Sequence, residues 1–146
     1  MIDNFLKAKI MSKSYLLVLD LNGTLLERVT KKKMKAFKSA YAIPPTPDFS
    51  ISSGKVFKRP FVDEFIDGIF KNFDVAVWTS ALEKNAVPMV QNLFQAHTHQ
   101  LKFLWNRSDC SDVKEGVDHS SVKDLRKIWE AYPDYDSVIL HSKTDF

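Results

Sequence analysis

The stretch from Tyr15 to Leu26 constrains the fold more than any other part of the chain. It begins with the unbroken apolar run Tyr15–Leu19 and reaches a carboxylate, Asp20, before a polar turn that contains Gly23. An apolar run without polar interruptions predicts a strand that is buried on both faces, as in parallel α/β sheets. Ligands bind such sheets beyond the carboxyl ends of the strands, so Asp20 lies where a functional side chain is expected.

Beyond this stretch, apolar strands alternate with helical patterns along the chain. Further strands are predicted at Phe73–Ala81, Leu101–Arg107 and Ser137–Leu140. Helices are predicted at Thr30–Tyr41, from Pro60 to about Asn72, at Leu82–Gln95 and at Ser121–Tyr132. A short strand that begins at Lys55 leads into the second of these helices. This alternation predicts an α/β fold with a doubly wound parallel sheet.

Two of the helices have apolar residues at a spacing that indicates which side packs on the sheet. In the helix that starts near Pro60, the residues expected on the buried side are Phe61, Phe65, Ile69 and Phe70. In the last helix, the apolar positions are Val122, Leu125, Ile128 and Trp129. Pro60 suits an early helical position, because a backbone N–H, which proline lacks, would have no hydrogen-bond partner within the helix there.

The first helix, Thr30–Tyr41, is strongly basic. It has Met34, Phe37 and Tyr41 at helical spacing and carries Lys31, Lys32, Lys33, Lys35 and Lys38. Most lysine runs are solvated faces, and a contact with a phosphate backbone or an acidic partner is the less common role. The sequence does not decide between these roles. The next segment, Ile43–Ser53, is rich in proline and predicts a loop or flap without a packed core of its own.

Composition limits the classes of protein to which the chain can belong. With 146 residues and 45% apolar content, it is long enough for one globular domain and too short to expect two. A formal charge of +3 permits an anionic partner without requiring one. The single cysteine, Cys110, excludes an internal disulfide framework and favours a reducing intracellular compartment, with nucleus or cytoplasm preferred and the mitochondrion left open. No apolar stretch approaches the roughly 20 residues of a membrane span, so no membrane partner is expected.

Several segments carry a family resemblance. The turn Asp20-Leu21-Asn22-Gly23-Thr24 closely resembles the first signature of haloacid-dehalogenase-type (HAD) phosphatases, Asp-x-Asp-x-(Thr/Val). The segments that are similar to the later motifs of the FCP/SCP group, the NLI-interacting-factor-like phosphatases, are Lys58–Phe65, Val77–Ala86, Arg107–Cys110 and Val122–Leu125. The resemblance implies a HAD-like Rossmannoid domain over residues 14–146, shortened at the C-terminus and preceded by an extension over residues 1–13.

The resemblance also implies roles for individual residues. Asp20 matches the nucleophile that attacks phosphorus and is one metal ligand. Asn22 stands where the family has its general acid/base, and it offers only its backbone carbonyl to the metal. The implied catalytic residues are Asp20, Asn22, Thr24, Thr79 and Lys123. The implied phosphate-binding residues are Thr79, Ser80, Arg107 and Lys123, and the implied cofactor is Mg²⁺.

Two positions depart from the family pattern in ways that affect catalysis. Asn22 carries an amide, which cannot gain and lose the proton that general acid/base catalysis requires. After the last strand the family has an acidic pair or Asp-Asn that holds magnesium, whereas this chain has His141 and Ser142. Neither brings an anionic oxygen to a hard, octahedral ion. Asp145 is the carboxylate that can substitute as a metal ligand if its loop bends back.

These departures favour a catalytically impaired phosphatase-fold domain, or pseudophosphatase, that works as a protein-binding or complex-assembly module. Its partner would be a protein, and the resemblance suggests one that contains phosphoserine. The first alternative is a slow Mg²⁺-dependent phosphoserine phosphatase that uses Asp20 as its nucleophile. The second is a structural component of an RNA–protein assembly that contacts RNA through Lys31–Lys38.

Overall fold

The structure is a computed structural model that describes residues 15–40, 43, 45–112 and 121–141. In chain order its elements are β1 (Tyr15–Leu19), β2 (Leu26–Val29), α1 (Lys31–Ala40), β3 (Phe49–Ile51), β4 (Gly54–Lys58), α2 (Val62–Asn72), β5 (Asp74–Trp78), α3 (Glu83–Phe94), β6 (Leu104–Trp105), β7 (Ser111–Asp112), β8 (Ser121–Val122), α4 (Leu125–Ala131) and β9 (Ser137–His141). Short 3₁₀ turns lie at Gln95–Gln100 and Arg107–Asp109.

The central sheet consists of parallel strands in the order β6-β5-β1-β9. Its register pairs Leu19 of β1 with Val77 of β5 on one side and with His141 of β9 on the other. The chain therefore leaves β1 toward β5 and β6 and returns on the opposite side at β9. Such a reversal of strand order forms the crevice in which α/β proteins bind ligands, and Asp20 lies at its edge.

Apolar side chains pack on both faces of the sheet. On one face, Leu17 and Leu19 belong to a buried cluster with residues of α2 and α3. On the other face, Leu16 and Trp78 pack with Ile128 of α4. Helices cover both faces because successive side chains of a strand point to opposite sides. The predicted doubly wound parallel sheet is confirmed.

A smaller antiparallel sheet, in the order β2-β4-β3, forms a flap beside the central sheet. The segment Ile43–Ser53 was predicted as a loop or flap, and the prediction of a loop is wrong for Phe49–Ile51, which pairs with β4. The prolines end before the paired residues, so they remove no hydrogen bond from the ladder. The basic helix is confirmed as α1, which has no buried residue.

The predicted buried side of α2 is partly wrong. Ile69 and Phe70 are buried as predicted, but the exposed fractions of Phe61 and Phe65 are 80% and 40%. The helix begins only at Val62, because Phe61 precedes it with left-handed backbone (φ 64°), and Pro60 lies outside the helix. The residues at the i, i+4, i+7, i+8 spacing that face the core are Val62, Ile66, Ile69 and Phe70.

The last helix also begins later than predicted. Asp124 accepts a hydrogen bond from the N–H of Arg126 and caps α4, so the helix starts at Leu125 rather than Ser121. Val122 belongs to β8 and is exposed, and Trp129 is 52% exposed, whereas Ile128 is fully buried. The assignment of Val122 to this helix was therefore wrong, whereas Trp129 lies in the helix as predicted and is largely exposed.

The strand predicted at Leu101–Arg107 is shorter in the structure, where only Leu104–Trp105 pairs with β5. The cause is a capping box in which the side chain of Asn106 accepts from the N–H of Ser108 and the side chain of Asp109 accepts from the N–H of Asn106. This local hydrogen bonding turns the chain into the 3₁₀ turn that contains Arg107.

Some predictions fall outside the described residues. They concern the extension over residues 1–13 and the residues after His141, including Ser142 and Asp145. Within the described part of the chain, no helix combines the length and the apolar character that crossing a membrane requires.

Two glycines offer a matched test of the fold. A Cβ atom at Gly54 would lie 2.4 Å from the carbonyl oxygen of Val29, whereas a Cβ at Gly68 would meet nothing within 4 Å. We expect Gly54→Ala to destabilise the protein by about 1–3 kcal/mol because β2 and β4 must separate. We expect Gly68→Ala, inside α2, to stabilise it by about 0.5–1 kcal/mol. Urea unfolding followed by circular dichroism measures both, and equal effects would contradict the close approach at Gly54.

Candidate functional site

Asp20 is held by contacts to both oxygens of its carboxylate. Its Oδ1 accepts a hydrogen bond of 2.8 Å from the N–H of Leu21. Its Oδ2 lies 3.0 Å from Nζ of Lys123, and only 15% and 12% of the two side chains are exposed. The N–H of Asp20 donates to the carbonyl of His141 at the end of β9. The carboxylate is therefore fixed at the edge of the sheet in a largely buried ion pair.

Lys123 reaches Asp20 from a loop and not from the surface of a helix. It lies between β8 and the cap of α4, where Asp124 is bound by the side chain of Arg126 at 2.6 Å. The hydrogen bonds from Arg126 hold the pKa of Asp124 below its ordinary value. Asp124 thus stays ionised as a cap, which fixes the backbone next to Lys123.

Thr79 follows β5 as Asp20 follows β1, since Leu19 and Val77 are in register on the adjacent strands. Only 1% of Thr79 is exposed. Its Oγ1 accepts a hydrogen bond from the N–H of Ala81 at 3.1 Å, so the hydroxyl retains its one hydrogen as a donor. Thr79 therefore lies at the same edge of the sheet as Asp20, as predicted.

Arg107 is attached to the loop that follows Thr79. Its Nε donates to the carbonyl of Ser80 at 2.9 Å, and its backbone N–H donates to the carbonyl of Ala81 at the same distance. The side chain is exposed, and its two Nη groups make no hydrogen bond to another residue in the described ranges. Ser80 and Arg107 are thus brought together next to Thr79, and a guanidinium with unused donors suits an anion.

Asn22 has a structural contact that the sequence did not predict. Its side chain is exposed, and its Oδ1 accepts from the N–H of Arg28 in β2 at 2.8 Å. Gly23, with φ 78°, makes the turn between them, and its N–H donates to Leu26. The amide of Asn22 therefore links the turn to the flap. Unlike a carboxyl group, it cannot act as a general acid or base at neutral pH.

Thr24 is buried in the same turn, with 3% of its surface exposed. Its N–H donates to the carbonyl of Leu21, and its Oγ1 has no hydrogen-bond partner among the described residues. A buried hydroxyl without a partner is uncommon and is typical of functional sites. The hydroxyl of Thr24 therefore has hydrogen-bonding capacity left in the turn after β1, as the indole N–H of Trp78 has in the core.

Arg59 is a candidate site residue that sequence reasoning missed. It lines a cavity of about 250 Å³ together with Gly23 and Thr24. Its N–H donates to the carbonyl of Leu25, which brings it beside the turn after β1. The available signal was the position of Arg59 inside Lys58–Phe65, a segment that carries the family resemblance, whereas the pairing of β4 with β2 was not predicted.

Within the described ranges, the residues implied as metal ligands offer a magnesium ion one carboxylate, that of Asp20. The candidate ligands are the carboxylate of Asp20 and the backbone carbonyl of Asn22, and no group of three or more His, Cys, Asp or Glu side chains that could hold a metal is found in the described ranges. Mg²⁺ requires near-octahedral oxygen ligands and anionic charge. The ammonium of Lys123, at 3.0 Å, already neutralises the one carboxylate. Asp145, the other predicted ligand, lies outside the described residues.

Comparison with known families identifies a match along most of the chain. The family model of the NLI interacting factor-like phosphatases matches residues 15–144. The match includes every candidate site residue from Asp20 to Lys123.

Three curated relatives are similar in sequence. A putative CTD phosphatase-like protein of Invertebrate iridescent virus 3 is 31% identical over 62% of this chain and 50% of its own length. A probable C-terminal domain small phosphatase of Dictyostelium discoideum is 30% identical over 77% of this chain and 34% of its own length. An FCP1 homology domain-containing protein of Schizosaccharomyces pombe is 30% identical over 79% and 44%. The chain thus spans half or less of the length of these relatives.

Two solved structures share the fold. The RNA polymerase II CTD phosphatase Fcp1 aligns with a TM-score of 0.54 and 15% identity, over 97% of this chain and 45% of the other. A fission yeast Fcp1 variant bound to beryllium fluoride aligns with a TM-score of 0.53 and 14% identity, over 97% and 50%. At this identity the structures support the fold alone, which agrees with the family match. The chain belongs to the NLI interacting factor-like phosphatase family, with the HAD-type fold of the FCP/SCP group.

Proposed function

We propose that this domain is a catalytically impaired phosphatase that has retained an anion-binding pocket and binds a protein partner. The observation that carries the proposal is the state of Asp20, whose two oxygens are engaged by the N–H of Leu21 and the ammonium of Lys123. Lys123 therefore neutralises the carboxylate of Asp20. At the position where the family has its general acid/base, this chain has Asn22.

Attack on a phosphomonoester has two requirements that these residues do not meet. A divalent cation normally offsets the repulsion between an anionic nucleophile and an anionic ester. A general acid then protonates the leaving oxygen, which typically accelerates the reaction by about 10²–10⁴-fold. Asn22 cannot donate the proton. Asp20, as the one carboxylate among the implied ligands that the structure describes, should bind Mg²⁺ only weakly. Turnover should therefore be close to the uncatalysed rate.

The site retains groups that can bind an anion, although it lacks the groups that would cleave a phosphate ester. Thr79 has a hydroxyl hydrogen to donate, and Arg107 has guanidinium donors that no described residue uses, whereas the charge of Lys123 is already paired with Asp20. We take the partner to be a protein that contains phosphoserine, because relatives are named as CTD phosphatases. The reduced thiol expected for Cys110 suits an intracellular setting, nucleus or cytoplasm, for this interaction.

A slow Mg²⁺-dependent phosphoserine phosphatase is the second candidate. The position of Asp20 at the carboxyl end of β1, next to Lys123, is the observation that favours it. In that case Asp20 would attack phosphorus and water would cleave the resulting acyl-phosphate without a general base.

A turnover assay separates the two candidates. We expect hydrolysis of para-nitrophenyl phosphate with Mg²⁺ to be equal in the purified chain, in Asp20→Asn and in a no-protein blank. We also expect Asn22→Asp alone not to restore activity, since the restored acid would still lack a metal site.

Magnesium-dependent hydrolysis that Asp20→Asn abolishes would overturn the proposal and establish the slow enzyme. Activity gained by Asn22→Asp alone would show that a metal site has survived. Lys71→Gln serves as the control for purification and folding, because Lys71 is exposed in the last turn of α2, at the opposite end of β5 from Thr79.

A further inference from the structure

A groove of about 600 Å³ lies between α1 and the flap, apart from Asp20 and its neighbours. The apolar part of its lining, called the floor below, includes Met34, Pro47 and Ile51, and the charged part, called the edge, includes the lysines of α1 at positions 31, 35 and 38. The volume lies within the range of about 300–1,000 Å³ that is typical of ligand clefts. None of the implied catalytic residues lines it.

The positive charge along this groove is not neutralised within the described part of the chain. Lys31, Lys35 and Lys38 are exposed, and no described carboxylate lies within 4.0 Å of their ammonium groups. Lys55, on the opposite edge, donates only to the hydroxyl of Ser50. The spacing i, i+4, i+7 places the three lysines of α1 along one side of the helix.

The charges of α1 also oppose helix stability. Its first turn contains lysines at positions 31 to 33 and no acidic residue. The N-terminus of a helix carries partial positive charge, so lysines there are unfavourable. Sequences that depart from such stabilising patterns often do so at functional sites. The lysines at the N-terminus of α1 are therefore consistent with a binding surface.

From this arrangement we infer that the groove binds an acidic, amphipathic segment of a protein partner. The apolar floor accepts aliphatic side chains, for which the flexible thioether of Met34 is well suited. The lysines at both edges pair with glutamate or aspartate on the flanks of the segment. Because the groove contains none of the residues that bind or react with phosphate, this site is independent of whether Asp20 supports turnover.

The lining of the groove favours protein over RNA as the occupant. Binding of single-stranded RNA typically uses aromatic side chains on which bases stack, together with arginine. No aromatic or arginine residue is among the described residues that line the groove, and most of its surface is apolar. A phosphate backbone would satisfy the lysines but leave Met34 and Ile51 without apolar partners.

The test uses the full chain and a fluorescently labelled peptide of alternating glutamate and leucine. We expect fluorescence anisotropy at low salt to show binding, and Lys31→Glu/Lys35→Glu to weaken it by about tenfold or more, which corresponds to about 1.4 kcal/mol. The control, Lys32→Glu/Lys33→Glu, makes the same change of charge on residues of α1 that do not line the groove. We expect it to weaken binding by less than about twofold, a rim-charge effect.

Two further probes of equal length define the occupant. A peptide of alternating glutamate and serine should bind about tenfold more weakly than the glutamate–leucine peptide, since it has nothing to place on the apolar floor. An oligouridylate should bind more weakly than the glutamate–leucine peptide. The two double variants should lower its affinity by the same factor. Circular dichroism of each variant confirms that α1 and the sheet remain folded.

Three results would overturn the inference: no binding of the glutamate–leucine peptide to the wild-type chain, equal loss in the two double variants, or tighter binding of oligouridylate. The last result would support the RNA-assembly role instead. None of these outcomes depends on phosphatase activity, so they are distinguishable from failure of the proposed function.

Discussion

Replacing Trp78 with alanine is expected to lower the free energy of unfolding by about 3–5 kcal/mol, the range for large aromatic residues in a core. Trp78 is the last residue of β5, is fully buried, and packs edge-on against Trp105 with ring centroids 5.0 Å apart. It also packs in the cluster that holds Ile128 of α4 against the sheet. Its removal leaves a cavity directly before Thr79, so the candidate site should loosen together with the core.

Urea unfolding followed by far-ultraviolet circular dichroism measures this change without relying on the fluorescence of the substituted residue. Trp129→Ala is the matched control, since Trp129 is 52% exposed and should cost less than about 1 kcal/mol. Similar losses for the two variants would contradict the assignment of Trp78 to the core.

The second large effect is expected for Lys123→Met, which should destabilise the domain by about 2–3 kcal/mol. Breaking a fully buried ion pair by removing one partner typically costs about 3–5 kcal/mol, and the slight exposure of this pair reduces the loss. Among the described residues, Asp20 would keep the N–H of Leu21 as its one remaining side-chain contact. Adding Asp20→Asn to Lys123→Met should recover part of the loss, because the unpaired charge is then removed.

A double-mutant cycle in urea gives the coupling between the two residues. Lys102→Met is the control, since Lys102 lies 3.8 Å from Asp74 and 45% of its side chain is exposed. Such an exposed pair should contribute less than about 1 kcal/mol. A coupling near zero for Asp20 and Lys123 would mean that their contact is not held in solution.

The strands of the central sheet were predictable because buried strands have a strong sequence signal. Tyr15–Leu19 and Asp74–Trp78 are apolar runs that end at polar residues, and the structure places both in the sheet. The edge position of Asp20 and Thr79 followed from the same signal, since parallel strands end together. The apolar pattern did not identify the buried side of α2. Phe61 and Phe65 have the same i, i+4 spacing as Val62 and Ile66, so either pair could face the core.

The contacts within the site were less predictable, because they join residues that are distant in sequence. Lys123 was assigned to the site by resemblance alone, and nothing in its own neighbourhood indicates Asp20. The hydrogen bond from Arg28 to Asn22 depends on β2, a strand that was not predicted. The late start of α4 depends on the cap at Asp124, a signal that was present in the sequence and not used.

The most direct test of impaired catalysis asks whether Asp20 can bind a phosphoryl mimic with a metal ion. Beryllium fluoride adds to an aspartate carboxylate in the geometry of an acyl-phosphate, and it is bound in the fission yeast Fcp1 variant that shares this fold. We expect ¹⁹F NMR of the chain with Mg²⁺ and beryllium fluoride to show only the free species, because Asp20 is paired with Lys123 and our proposal gives it no second carboxylate with which to hold the metal. A protein-bound resonance that requires Mg²⁺ and disappears in Asp20→Asn would contradict this expectation and show a competent nucleophile.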